Sequence, residues 1–170
     1  MTDELKTVPH VELARYLGTW YEIARKPMRH EDATARDITA TYELDDSGAV
    51  RVLNSCIDED GKVDASEGLA RPVDASNAKL EVSFLPQGLR WIPFARGDYW
   101  ILRLDEDYNT ALVGEPGRKY LWLLHRSPQM GPEAKNEWLE FARMRGYGLD
   151  DMIFPLQSGQ VHREEELTPP

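Results

Sequence analysis

The chain has 170 residues with 20 Lys plus Arg against 30 Asp plus Glu, and a formal net charge of −10. A surface of that sign repels phosphate backbones, which excludes nucleic acid as a natural partner. Mean hydropathy is −0.55, and no run approaches the roughly 18 to 20 apolar residues of a membrane helix.

Short alternating segments separated by turn residues predict an antiparallel sandwich or barrel. Residues 18–26 read as the first strand, ending at Pro27. In 37–44, Ile38, Ala40, Tyr42 and Leu44 alternate with Thr39, Thr41 and Glu43, and Asp45-Asp46-Ser47-Gly48 closes the strand with turn chemistry. Val50, Val52, Asn54 and Cys56 share one face of a third strand, and a fourth runs toward Ala70. Residues 78–85 alternate cleanly, and 98–104, 109–114 and 119–126 bring the number of predicted strands to eight. After Pro128 the period becomes helical: Pro132 suits a first helical position, Ala134, Trp138 and Phe141 share a face, and Gly146 is a natural stop. Residues 152–156 are a candidate ninth strand. The organisation expected is one domain over 1–158, with a barrel at about 17–126 and a helix at about 132–146, then a flexible acidic tail over 159–170.

Three motifs in order carry a family resemblance. Leu17-Gly18-Thr19-Trp20-Tyr21-Glu22 resembles the opening strand of lipocalins, especially the bacterial outer-membrane lipocalins. Asp105-Glu106-Asp107-Tyr108-Asn109 resembles their turn between strands six and seven, and Tyr120-Leu121-Trp122-Leu123-Leu124-His125-Arg126 their eighth strand. The resemblance implies an all-β fold, an eight-stranded up-and-down antiparallel barrel with one C-terminal helix packed outside. It also implies that Trp20 and Arg126 close the barrel floor by stacking, and that the barrel binds a small lipophilic ligand without chemistry on it. For the bacterial subgroup the implied ligand is a fatty acid or lysophospholipid, with a role in lipid transport or storage for envelope maintenance. No cofactor is implied.

With Trp20 set inward, the strand period of two assigns a cavity face. The candidate ligand-binding residues are Glu22, Ala24, Ala40, Tyr42, Asn54, Val82, Phe84, Tyr99, Ile101 and Trp122. Glu22, Asn54, Tyr42 and Tyr99 are polar groups in an apolar setting; they bond one another, water or a ligand head, since burial without partners is costly. A barrel of this size is either filled by its own side chains or holds one small ligand. A filled barrel would be an interaction module. Residues 86–97 combine Leu89, Trp91, Ile92 and Phe94 with Arg90 and Arg96 at the expected open end. Arg90, Trp91, Phe94 and Arg96 read either as a lid that makes transient membrane contact or as a self-packed connector.

Two catalytic alternatives stand beside simple binding: a lipid isomerase using Cys56, and a haem-binding barrel using a histidine. Cys56 is the single cysteine, so it forms no intrachain disulfide; it reads as a buried filler or, with a depressed thiol pKa, as a nucleophile. The four histidines show no metal spacing. Residues 1–6 carry neither a signal-peptide core nor a lipidation cysteine. A cytoplasmic location is expected, or the periplasm or outer membrane if a leader precedes this sequence. A monomer or homodimer is expected.

Overall fold

A computed structural model describes residues 4–27, 34–84 and 96–162. Among these residues the chain forms a short helix α1 (Leu13–Tyr16), then strands β1 (Gly18–Arg25), β2 (Arg36–Leu44), β3 (Val50–Ile57) and β4 (Val63–Pro72). Strands β5 (Lys79–Phe84), β6 (Arg96–Leu104), β7 (Thr110–Gly114) and β8 (Leu121–His125) follow, then helix α2 (Pro132–Met144). Each strand pairs antiparallel with its sequence neighbour and β8 returns to β1, so the eight strands close into a barrel with no free edge. The expected all-β barrel with one C-terminal helix is what forms.

The hairpin connections explain part of the acid excess. Each of the five connections within the described residues opens on a carboxylate that accepts backbone N–H groups. Asp45 Oδ1 accepts from Ser47 at 2.9 Å and Ala49 at 3.0 Å. Asp58, Asp74 and Asp105 repeat the arrangement, and Glu115 takes Gly117, Lys119 and Tyr120. A side-chain acceptor at this place stands in for the backbone of a tight turn and holds the register of the strands on either side.

Two apolar layers lie on opposite faces of the same wall. Inside the barrel, Trp20, Ala40, Tyr42, Val52, Leu80, Val82, Ile101, Val113 and Leu124 pack together. Outside, Ile23, Ala24, Leu102, Leu112, Leu121 and Leu123 meet Trp138, Leu139 and Ala142 of α2. The helix begins with Pro132 in its first turn, places Glu133 near its N-terminus and Arg143 near its C-terminus, and so suits its dipole at both ends. Gly146, at φ +100°, takes the left-handed stop that a side chain would resist. Gly114 lets Tyr147 approach the wall, since a Cβ there would run into the phenol oxygen.

Three elements differ from the sequence reading. Helix α1, which that reading did not include, tucks under the barrel; Tyr16 at its end is buried. The candidate ninth strand over 152–156 is reduced to a single bridge, Arg25 to Ile153. At the start of the expected tail, residues 158–162 are tied to the barrel: Ser158 N and Oγ donate to Asp37 at 2.6 and 2.8 Å, and His162 Nε2 lies 2.9 Å from Asp37 Oδ2. Gln157 Nε2 donates to the carbonyls of Glu22 and Ile38, joining β1 to β2 above the last pair of their ladder.

Candidate functional site

The closed end of the barrel is built on Trp20, which β1 carries inward and which is fully buried. Its Nε1 donates to Tyr16 O at 2.9 Å. The Arg126 guanidinium lies 3.8 Å above the indole and donates to three carbonyls: Tyr108 O from Nε, Thr19 O from Nη1 and Arg15 O from Nη2, at 3.0 to 3.1 Å. One planar fork thereby ties α1, β1 and the β6–β7 turn together, and stacking on the indole adds about 0.5 to 2 kcal/mol. Burial lowers the pKa of Arg126 from its ordinary value, but from so high a start that it stays charged.

Above this floor the barrel holds a cavity open at its upper end. Its apolar walls are Ile38, Ala40, Val52, Val82, Phe84, Trp122 and Leu124, and its polar groups are Glu22, Thr39, Asn54, Tyr42, Tyr99 and, at the rim, Asp98. A second, small space lies deeper, between α1 and β2–β6, walled by apolar side chains together with Tyr16, Tyr42 and Tyr99. The three phenols form a chain between the two spaces: Tyr99 Oη is 2.7 Å from Tyr16 Oη and 2.8 Å from Tyr42 Oη. Burial raises the pKa of all three, so each keeps its proton.

Of the ten residues assigned to the cavity face from sequence, Glu22, Ala40, Tyr42, Asn54, Val82, Phe84, Tyr99 and Trp122 stand in the cavity wall. Ile101 faces the barrel interior but is fully buried in the packed layer near the floor, where its N–H bonds Ala78 O and its carbonyl accepts from Val8. It forms no part of the cavity wall. Ala24 is corrected outright. Opposite β8, Glu22 pairs with Leu124 but Ala24 pairs with Leu123, so two residues of β1 oppose one of β8. The bulge flips every residue after it. Ala24 joins Ile23 on the helix-facing layer, and Arg25 turns to the cavity side opposite Trp122.

Arg25 is therefore the residue that strand parity missed. It is 1% exposed, and its Nε lies 3.4 Å from Glu22 Oε2. Two opposite charges this deeply buried cost several kcal/mol each to desolvate and hold their place by compensating one another. Leu124 and Thr39 also stand in the wall and were not among the assigned residues. Cys56 is buried nearby, and burial, with Asp64 and Glu22 adding to it, pushes its thiol up to about 12. It is no thiolate at neutral pH. Arg96 starts β6 on the outer surface with its Nε 3.4 Å from Glu81, an exposed pair of small worth. Arg90, Trp91 and Phe94 lie outside the described residues.

A family model for a lipocalin-like domain matches residues 11–157. The chain is 40% identical to temperature-induced lipocalin-1 of Arabidopsis thaliana over 152 residues, covering 88% of this chain and 81% of the plant protein. It is likewise 40% identical to the outer membrane lipoprotein Blc of Escherichia coli K12 over 154 residues, covering 89% and 82%. Apolipoprotein D of Mus musculus is 32% identical, covering 83% and 74%. Among solved structures, insecticyanin from the tobacco hornworm Manduca sexta superposes with a TM-score of 0.68 at 19% identity, covering 93% of this chain and 87% of that one, a likeness of fold. The motifs on β1 and β8, the floor they build and these matches agree: the chain belongs to the lipocalin family, whose members bind small hydrophobic ligands.

Proposed function

We propose that the barrel takes up one acyl-chain lipid, a fatty acid or lysophospholipid, and carries or sequesters it unchanged. The observation that supports this most is the open-ended cavity inside the barrel, its walls mainly apolar with a few polar groups among them, which is how small-molecule sites are generally built. Burying about twelve methylenes at roughly 0.8 kcal/mol each gives about 10 kcal/mol gross. With an association cost at the low end, about 4 kcal/mol, about 6 kcal/mol remains, an affinity of tens of micromolar. The protonated, buried Cys56 favours binding over an isomerase reading. Likeness to outer membrane lipoproteins supports work at the cell envelope, in lipid transport or storage; among the described residues no helix is long and apolar enough to cross a membrane.

The test is titration with a fluorescent long-chain fatty acid, read through tryptophan emission. Saturation at one ligand per chain is expected, with quenching dominated by Trp122, which stands in the cavity wall. Trp122→Phe should keep the fold and remove much of the quenching. Absence of saturable binding, or full quenching in that variant, would refute the proposal.

A further inference from the structure

We propose that Tyr16, Tyr42 and Tyr99 together receive an uncharged oxygen on the chain of the bound lipid, so that the barrel prefers acyl chains oxygenated near their middle. This rests on the acyl-lipid reading above and adds the class of chain.

The argument is a count of protons. Three phenols bring three O–H donors, and the chain Tyr16–Tyr99–Tyr42 has only two hydroxyl contacts. Whichever way those two bonds run, one proton is left over. If Tyr99 donates to Tyr16, Tyr42 donates to Tyr99 and Tyr16 keeps the spare; reversing the chain moves the spare to Tyr42; and if both neighbours donate to Tyr99, it keeps the spare itself. A buried donor lacking an acceptor is costly, so an acceptor brought by a ligand is rewarded.

The place of the trio says where on the ligand that acceptor must be. Tyr42 and Tyr99 belong to the walls of both spaces, and Tyr16 to the deeper one. Ile38, in the wall of the upper cavity, is four residues from Tyr42 along β2. At about 3.3 Å per residue and a strand tilt of about 35–45°, Tyr42 lies roughly 10 Å further along the axis. An extended chain whose head stays at the opening reaches the hydroxyls after about eight to twelve carbons on that spacing. The oxygen suited to this spot is uncharged. The cations on either side are engaged: Arg25 by Glu22 and Arg126 by backbone carbonyls and the Trp20 ring. The trio therefore supplies hydrogen bonds without net charge, which fits a hydroxyl or keto group and not a second carboxylate.

The experiment compares dissociation constants for octadecanoate, 2-hydroxyoctadecanoate, 12-hydroxyoctadecanoate and 12-oxooctadecanoate. The wild-type chain should bind the 12-hydroxy and 12-oxo acids about tenfold more tightly than the other two, the worth of about one hydrogen bond. The 12-oxo acid only accepts, so its preference reports the spare proton directly; its failure to bind better than octadecanoate would overturn the assignment. Tyr42→Phe with Tyr99→Phe, and the triple variant adding Tyr16→Phe, should lose the preference, the ratio of constants between the 12-oxo acid and octadecanoate falling to about one. Equal constants for all four acids in the wild type, or a preference that survives in the triple variant, overturn the proposal while leaving acyl-chain binding intact. If octadecanoate itself does not bind, the acyl-lipid reading falls and this inference with it. Should the triple variant fail to fold, the wild-type comparison of the four acids decides alone.

Discussion

Two arginines, one at each half of the barrel, show how differently one fold can neutralise a buried positive charge. Arg126 at the floor is held by three backbone carbonyls and an indole ring. Those partners are fixed dipoles, so the floor has no means of responding to a ligand. Arg25 in the upper half faces Glu22, a side chain that stands in the cavity wall. Its partner is ionisable, has rotamers of its own, and lies where a ligand head would arrive. The floor arrangement gives shape, while the upper one gives a charge balance that a ligand can disturb.

The largest effect expected from breaking this contrast is at Glu22. Glu22→Gln leaves the Arg25 charge buried without its carboxylate and should cost about 3–5 kcal/mol of stability, measurable by urea unfolding. Adding Arg25→Met should recover much of that loss, because the cost lies in the uncompensated charge. In the single variant a fatty carboxylate can take the place of Glu22 beside Arg25, so octadecanoate should raise its melting temperature more than that of the wild type. A Glu22→Gln protein of wild-type stability and wild-type ligand response would mean that the pair contributes little to either property.

Arg126→Ala should cost less, about 1–3 kcal/mol, through the loss of its hydrogen bonds to three carbonyls and of its packing on Trp20. Arg126→Lys should recover little, because an ammonium cannot reproduce the planar fork. Ligand affinity should be unchanged in both, since Arg126 is absent from the cavity wall. Loss of binding in a stable Arg126 variant would erase the distinction between a floor that holds and an upper half that responds.

The floor was legible in the sequence and the Arg25 site was not, for a physical reason. Trp20 and Arg126 sit in motifs whose neighbours fix their meaning, and the parity counted back from Arg126 puts Trp122 in the wall. On β2 the alternation of Ile38, Ala40 and Tyr42 with polar residues carries its own orientation. On β1 it breaks down: in Glu22-Ile23-Ala24-Arg25 the two middle residues are both apolar, so a bulge that sends both to the helix-facing layer leaves no mark in the pattern. A charged residue after that bulge reads as solvent-facing, whereas the structure buries it. Tyr16 escaped because the count of elements began at Gly18, although Leu13 and Tyr16 are three residues apart, as one face of a short helical turn would space them. The pinning of Ser158–His162 depends on Asp37, 121 residues from Ser158 in sequence, and no local pattern reports a contact at that distance.

Asp37 offers the mildest test, and one that pH can tune. It holds a left-handed backbone at φ +53°, its N–H donates to Leu156 O at 2.8 Å, and its buried carboxylate collects Ser158 and His162. Burial by itself pushes this carboxyl up, but the hydrogen bonds from His162 and Ser158 outweigh it and set the pKa below the ordinary 3.8. A carboxylate whose pKa is lower folded than unfolded favours the folded state above its unfolded value of about 3.9, and that contribution fades as pH falls through the folded value. Asp37→Asn should therefore cost about 1 kcal/mol at pH 7, the net worth of the hydrogen bonds it weakens. The gap between wild type and variant should narrow as unfolding is repeated at pH values below 3.8. The backbone bond to Leu156 survives the substitution, and so does the link that Gln157 makes between Glu22 O and Ile38 O. The loss should accordingly stay local to the C-terminal segment, with hydrogen exchange faster at Ser158 and unchanged at Trp20 and Arg126. A gap that stayed constant across that pH range would mean the carboxylate's charge is irrelevant and only its shape is used. The charge-dependent part of the contrast would then rest on Glu22 and Arg25 alone.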